Sequence, residues 1–394
     1  MTAPFTRRKF IETACWSGVA STVLPTVSFA NAPTDNRLVF VLLRGAMDGL
    51  HAVVPVGDPA YAATRGKLAY KRSDLSMIDG TFGLAPGLSE LMPDMKAGEL
   101  LAIQGVAIPY RTRSHFDAQS ILETGMDKPV GSASGWLNRT LAALGGQTGL
   151  GIAVGGGLPQ SLHGDVSVST WAPGRGQAGT ENFADVLAQL YQNDRDLNDP
   201  YMAAQMLQEQ AMEMDMDTRG RQGAAQVNQL FSTTAKFLSA PDGPRIAAME
   251  FSGWDTHANQ GLKGGTLDRQ LATLARGLRT LKSGLSKSDW NKTVVVVATE
   301  FGRTAAANGN NGTDHGTAGA MLLYGGAVRG GRVLADWPGL AKAQLFEGRD
   351  LRPTLDTRQV LKGLLANHYD LTSRVLDTEV FPDSGAFAGV TGLL

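Results

Sequence analysis

Apolar and polar positions along the chain alternate in blocks. Arg37–Leu43 is a continuous apolar run after its first residue, and so are Leu100–Ala107, Gly151–Gly155, Arg245–Phe251, Thr293–Thr299 and Ala320–Tyr324. Each is too short for an ordinary helix and has no polar face, the pattern of a strand buried on both sides. Between them the period changes. In Thr266–Leu285, the residues Leu267, Leu271, Leu274, Leu278 and Leu281 fall on one helical face. Helices are also predicted over Gly87–Lys96, bent or shortened by Pro93, over Ser114–Glu123, over Ser134–Leu144, and over Asp350–Leu365 with Pro353 near the first turn. Asn182–Leu238 is helical in pattern except near Asn198–Pro200, and reads as an insertion. Strand and helix in alternation predict an α/β sandwich with a mostly parallel sheet. No repeat of 20–50 residues is visible, which excludes a solenoid or propeller.

The apolar runs end abruptly in polar residues. Arg37–Leu43 leads to Asp48, flanked by Gly45 and Gly49; Leu100–Ala107 leads to Arg111, Arg113, Ser114 and His115; Arg245–Phe251 leads to Asp255 and His257. The densest case is 293–326. There the β-branched run gives way to Glu300–Thr304, a Gly/Asn loop (Asn308–Gly312), Asp314 and His315, and then a second apolar run. In open α/β sheets, ligands bind beyond the ends of the strands. Oxygen and imidazole donors without thiolate suit zinc, manganese, magnesium, calcium or iron. The candidate metal ligands are Asp48, Asp255, His257, Glu300, Asp314 and His315.

Each residue also has a plainer reading. Asp48-Gly49 could be a turn. Ser114 is a good N-cap, with Asp117 completing a capping-box-like pattern. His115 could face solvent or bond to backbone. Asp255 and His257, a polar pair after a buried strand and a tryptophan, favour ligation. His51, His163 and His368 lack such company and read as core or surface residues. The methionines from Met202 to Met216 read as adaptable helix packing.

Composition narrows the setting. Lys+Arg 36 against Asp+Glu 37 leaves no basic surplus for nucleic acid. Cys15 is the single cysteine, so disulfides and thiolate metal sites are ruled out. It lies within residues 1–30, where Thr6–Ile11 carries paired arginines, a moderately apolar stretch follows to Leu24, and Ser28-Phe-Ala30 has small-x-small cleavage chemistry. This resembles a twin-arginine export signal, too short and weakly apolar for a good membrane span. Cleavage is expected at Ala30-Asn31, with Ala32-Pro33 second. The expected partner is then the twin-arginine translocase, the destination is the periplasm or the exterior, and 37–394 form a single domain carrying the 182–238 insertion.

Taken together, several segments resemble an exported bacterial family of unknown function in the alkaline phosphatase/sulfatase superfamily. They are Arg44–Gly49, Arg113–Gln119, Gly253–His257, Glu300–Thr304, Gly312–Gly316 and Asp350–Thr354, with the paired arginines. The resemblance implies a three-layer alkaline phosphatase-like sandwich. It places Asp48 as a metal ligand after the first strand, Ser114 as the nucleophile at a helix start, Asp255 and His257 on one metal, and His315 as the later histidine. Glu300-Phe301 stands where the superfamily has Asp-His, so one of two metal positions is expected to be depleted or rearranged. Ser114 also lacks the Pro and Arg context of a sulfatase nucleophile.

Two functions follow. One is a metal-dependent hydrolase of a phosphate or related ester, with Ser114 attacking, His115 nearby, and Arg111, Arg113 or Arg303 clamping the anion. The other is a non-catalytic protein that holds a metal, an anion or a glycan on the same scaffold, assisting an exported complex.

Overall fold

The computed structural model of the protein describes residues 34–130, 134–173 and 223–394. The paired arginines, Cys15, both cleavage positions, the methionine stretch and most of 182–238 lie outside them. Twelve strands are present among the described residues: β1 (Arg37–Leu43), β2 (Val53–Val54), β3 (Ser76–Met77), β4 (Gly83–Leu84), β5 (Leu100–Ala107), β6 (Gly151–Val154), β7 (Ser169–Trp171), β8 (Ile246–Phe251), β9 (Thr293–Ala298), β10 (Gly319–Tyr324), β11 (Arg332–Leu334) and β12 (Leu355–Asp356). The main sheet runs β11-β5-β10-β9-β1-β8-β6-β7, with β12 also on β5. β10 pairs antiparallel with β5 and β9, and the other pairings are parallel. The remaining strands, β2, β3 and β4, form a small separate sheet.

The alternation of side chains along β1 explains the three layers. Val39, Val41 and Leu43 face one core, shared with Leu267, Leu271, Leu274, Leu278 and Leu281 of the helix Thr266–Gly284 and with Leu230 and Phe231 of the helix Ala224–Ser239. Leu38, Phe40 and Leu42 face the other. That core is shared with Ile121 of the helix His115–Thr124, Trp136 of Trp136–Ala143, and Leu361 and Leu364 of Thr357–Tyr369. A sheet buried on both faces accounts for the unbroken apolar runs. The expected three-layer α/β sandwich with a mostly parallel sheet is the observed fold.

Two boundaries differ from the expected ones. Gly87–Lys96 is split into a 3-10 segment, Pro86–Leu91, and a short helix, Met92–Lys96, that opens on Pro93. The helix expected over Asp350–Leu365 begins at Thr357 instead: Asp356 and Gln359 make a capping box there, while Leu351–Thr354 is outside any helix or strand. Of 182–238, residues 223–238 are described; they fall in the helix Ala224–Ser239 and its cap, and that helix packs on the Thr266–Gly284 helix.

Topology gathers the polar segments. The carboxyl ends of the parallel strands β1, β5, β8 and β9 lie at one edge of the sheet. Because β10 is antiparallel, its amino end lies there too, so Asp314 and His315, which precede it, arrive at the same place. Residues 301–304 and 314–317 pair as a short antiparallel ribbon, through Gly302 N to Thr317 O (2.9 Å) and Thr304 N to Asp314 O (2.8 Å).

A candidate metal centre of three histidines and an aspartate

Four ring or carboxylate groups from three loops converge at this edge. The Nε2 atoms of His115 and His315 are 2.9 Å apart, and those of His257 and His315 are also 2.9 Å apart. Asp255 joins them. Its Oδ1 is 3.1 Å from His257 Nε2 and 3.5 Å from His315 Nε2, and its Oδ2 is 3.6 Å from His115 Nε2. Ligand atoms of His115, Asp255 and His315 all lie within 4.8 Å of one another.

The far side of each ring decides what its near side offers. His115 Nδ1 meets Glu300 Oε1 at 2.6 Å, and His315 Nδ1 meets the Arg113 carbonyl at 3.0 Å. His257 Nδ1 meets Asp314 Oδ1 at 3.1 Å. Carbonyls and carboxylates only accept, so all three Nδ1 atoms carry protons and donate. With the rings neutral, their three Nε2 atoms aim lone pairs at one another and at a carboxylate. Without a metal, protons on these nitrogens relieve that opposition by bonding to Asp255. One metal ion would satisfy His115, His315 and Asp255 together, with His257 beside them, and a metal-bound histidine is ordinarily held in this way by an acceptor on its other nitrogen. The donor set thus fits a metal.

The electrostatics agree with a site built for positive charge. Burial opposes ionisation of Asp255, but hydrogen bonds from His115, His257 and His315 and the charge of Arg303 hold its carboxyl far below the usual range. Glu300 is fully buried. Burial pushes its carboxyl up, yet hydrogen bonding to His115 and Gln119 brings it down to about 2. For His115, burial favours the neutral ring, and Asp255 and Glu300 outweigh it, raising the imidazole to about 9 when no metal competes. Phe301 is buried against the rings of His115 and His315, with centroids at 4.8 and 5.3 Å. It is a wall behind two candidate ligands. The site opens on the other side, where the His257 and Asp314 side chains are 45% and 50% exposed.

The structure separates the sequence candidates. Asp255, His257 and His315 come together as expected, and His115 joins them as a fourth donor. Glu300 and Asp314, expected as ligands, instead stand behind His115 and His257. Glu300 Oε1 also accepts from Gly45 N (2.8 Å) and Gln119 Nε2 (3.0 Å). Gly45 has φ +117°, and a Cβ there would meet Asp255 N at 2.5 Å, so glycine is required for this approach.

Asp48 is away from the convergence. It caps the short helix Gly49–Ala52, is salt-bridged to Arg65 at 2.5 Å and accepts from Gln260 Nε2 at 2.8 Å. Among the described residues, Ser114 makes no hydrogen bond to the cluster; it is the helix N-cap by backbone shape, without a side-chain capping bond. Placing Ser114 at the N-cap turns His115, the first helical residue, toward the site. The arginines are engaged elsewhere. Arg111 bonds to the Ile108 and Tyr110 carbonyls, Arg113 pairs with Asp350 and Glu347, and Arg303 is buried on Asp255 and Thr313. His51 and His368 are core residues and His163 is a surface one.

Sequence reading missed Gln119, Gln260, Thr313 and Arg65. Gln260 Nε2 reaches Asp48, while its Oε1 accepts from Thr256 (2.8 Å) and Thr313 (2.9 Å). Its place three residues after His257 was the available signal.

A family model described as "Protein of unknown function (DUF1501)" matches residues 35–380. The chain belongs to this family. No curated protein matches this sequence. Among solved structures it is similar to the lipoteichoic acid synthase LtaP from Listeria monocytogenes, at 11% identity over 95% of this chain and 81% of that one, TM-score 0.43. It is also similar to a protein in the alkaline phosphatase superfamily from Vibrio parahaemolyticus (11%, 93% and 76%, TM-score 0.38). A third is the C-terminal periplasmic domain of EcEptC from Escherichia coli in complex with Zn (11%, 76% and 75%, TM-score 0.36).

Proposed function

We propose that the protein binds one divalent transition-metal ion through His115, His257, His315 and Asp255, and that it does so as an exported protein. The observation behind this reading is the convergence of three Nε2 lone pairs and one carboxylate, each ring fixed from behind by an acceptor. Three nitrogens among four donors favour zinc, manganese or iron over the oxygen-seeking magnesium and calcium. Export rests on the twin-arginine pattern at Thr6–Ile11. No helix among the described residues is long and apolar enough to cross a membrane. Twin-arginine export carries folded cargo, which suits a protein that is loaded with metal before it leaves the cytoplasm.

A second reading, hydrolysis of a phosphate or related ester, is favoured by the exposed side of the site at His257 and Asp314. A bound divalent ion would supply Lewis-acid polarisation of an ester oxygen and of water. Asp314, on the rim and bonded to His257 Nδ1 and Asn308 Nδ2, would hold or pass a proton at the solvent face. Ser114 has no part in this version, and the arginines are already engaged in pairs within the fold.

Metal analysis of the mature protein tests the first reading. One ion per chain is expected, lost in His315→Ala while the fold is retained. Wild-type protein that takes up no zinc, manganese, iron(II) or cobalt at neutral pH would overturn it. Turnover of phosphate mono- and diesters or sulfate esters, abolished by chelator, would establish the second.

A further inference from the structure

Arg303 is 1% exposed, and all three of its guanidinium nitrogens are engaged. Nη1 bonds Asp255 Oδ1, Nη2 bonds the Thr313 carbonyl, and Nε reaches Thr313 Oγ1 at 3.2 Å. The Arg303 backbone bridges antiparallel to His315. Thr313 in turn donates to Gln260 Oε1, which also accepts from Thr256, between Asp255 and His257. The two loops are further laced by Thr313 N to Thr256 O (3.0 Å), Asn259 N to Asn310 O (3.0 Å) and Gln260 N to Asn311 O (3.0 Å). A planar fork thus links the loop that carries Asp255 and His257 to the one that carries His315.

We propose that Arg303 is a positioning residue: it fixes the orientation of the Asp255 carboxylate relative to His257 and His315, and thereby sets how that carboxylate meets the metal. This inference rests on the metal-binding reading and assigns no substrate contact to Arg303. Asp255 Oδ1 faces both Arg303 and the two rings, so the guanidinium restricts how far the carboxylate can rotate. Lysine keeps the charge and loses the fork. It cannot bond Asp255 and both oxygens of Thr313 in one plane.

The test is cobalt(II) and zinc titration of wild type, Arg303→Lys and Thr313→Val, with thermal melts of each. In Arg303→Lys, metal affinity is expected to fall about 10- to 100-fold, the range for residues that orient ligands. The visible spectrum of bound cobalt should change shape as the carboxylate shifts. Thr313→Val, which removes the hydroxyl that accepts from Nε and donates to Gln260 but leaves the bonds to Asp255 and the Thr313 carbonyl, should give a smaller loss and a spectrum closer to wild type. Wild-type affinity and spectrum in a folded Arg303→Lys would overturn the role of Arg303 alone. If Arg303→Lys does not fold, unchanged affinity and spectrum in Thr313→Val would overturn it. A wild type that binds neither metal would overturn the metal reading and this inference together.

Discussion

Asp48 and Asp255 follow neighbouring parallel strands at the same edge of the sheet; Asp48 is buried and Asp255 half-buried, each beside an arginine and at least one histidine. Their surroundings use the charge differently. At Asp48 the account is closed: Arg65 and Gln260 take Oδ2, and the amides of Leu50 and His51 reach Oδ1 at 3.1 and 3.2 Å. His51 completes the group through Tyr70 OH at 2.8 Å and Gln260 at 3.3 Å. At Asp255, three imidazole nitrogens converge on the carboxylate and on one another. The density of acids and histidines is similar in the two places, and each carboxylate has a buried arginine. What marks the second as a candidate metal centre is the convergence of ring nitrogens beside a carboxylate, and what marks the first as structural is that Arg65 and its other partners within the fold take its acceptors.

The most damaging way to break the comparison is to remove that cation. Arg65 and Asp48 are both buried, with side-chain exposures of 0% and 1%. Arg65→Met would leave the Asp48 carboxylate buried without its main counter-charge. A loss of about 3–5 kcal/mol is expected, read as a lower midpoint in urea, while the folded fraction keeps its metal stoichiometry. A loss below about 1 kcal/mol would show that the pair contributes little. Loss of metal from folded Arg65→Met would show that the two groupings are one functional site.

The same buried grouping gives the protein an acid limit. Burial is the chief reason His51 is held at about 4, with Arg65 acting in the same direction and Asp48 against it. The unfolded chain has an ordinary histidine near 6.5. Between these values the unfolded state binds more protons. The contribution is therefore complete above about pH 6.5 and lost as the pH falls toward 4, with a ceiling of about 3 kcal/mol. His51→Gln should flatten the stability-against-pH curve in this window, measured by urea unfolding at fixed steps of pH. An unchanged slope would remove His51 from the account of acid sensitivity.

The sequence made the sheet legible because the strands are buried on both faces and are therefore dominated by apolar residues, with Gln104 and Glu250 among the exceptions. It also located the functional edge, because polar residues begin where the strands end. It could not assign roles within that edge. Asp48, Glu300 and Asp255 look alike in a sequence; partners from 17 to 212 residues away decide which oxygen is left to offer. Glu300 is an orienting group because the Ser114 N-cap turns His115 onto it, and Asp48 is neutralised because Arg65 comes back under the β1 loop. The reversed direction of β10, which delivers His315, shows only in the pairing of the strands.

The smallest expected effect bears on the nucleophile that the family resemblance implies. Ser114 was the candidate nucleophile because it begins a helix after a central strand. Its hydroxyl makes neither a capping bond nor a bond to the cluster, and the cluster is reached by His115 instead. Ser114→Ala should then change stability by less than about 0.5 kcal/mol, as for a surface position without a named interaction. It should also leave metal stoichiometry and affinity as they are. If the protein turns over an ester, kcat should stay within about twofold of wild type, because no step passes through this oxygen. His115→Ala in the same assay should lose the metal, one residue along the chain. A Ser114→Ala protein that keeps its metal and loses all turnover would reverse this assignment and restore covalent catalysis at the helix start.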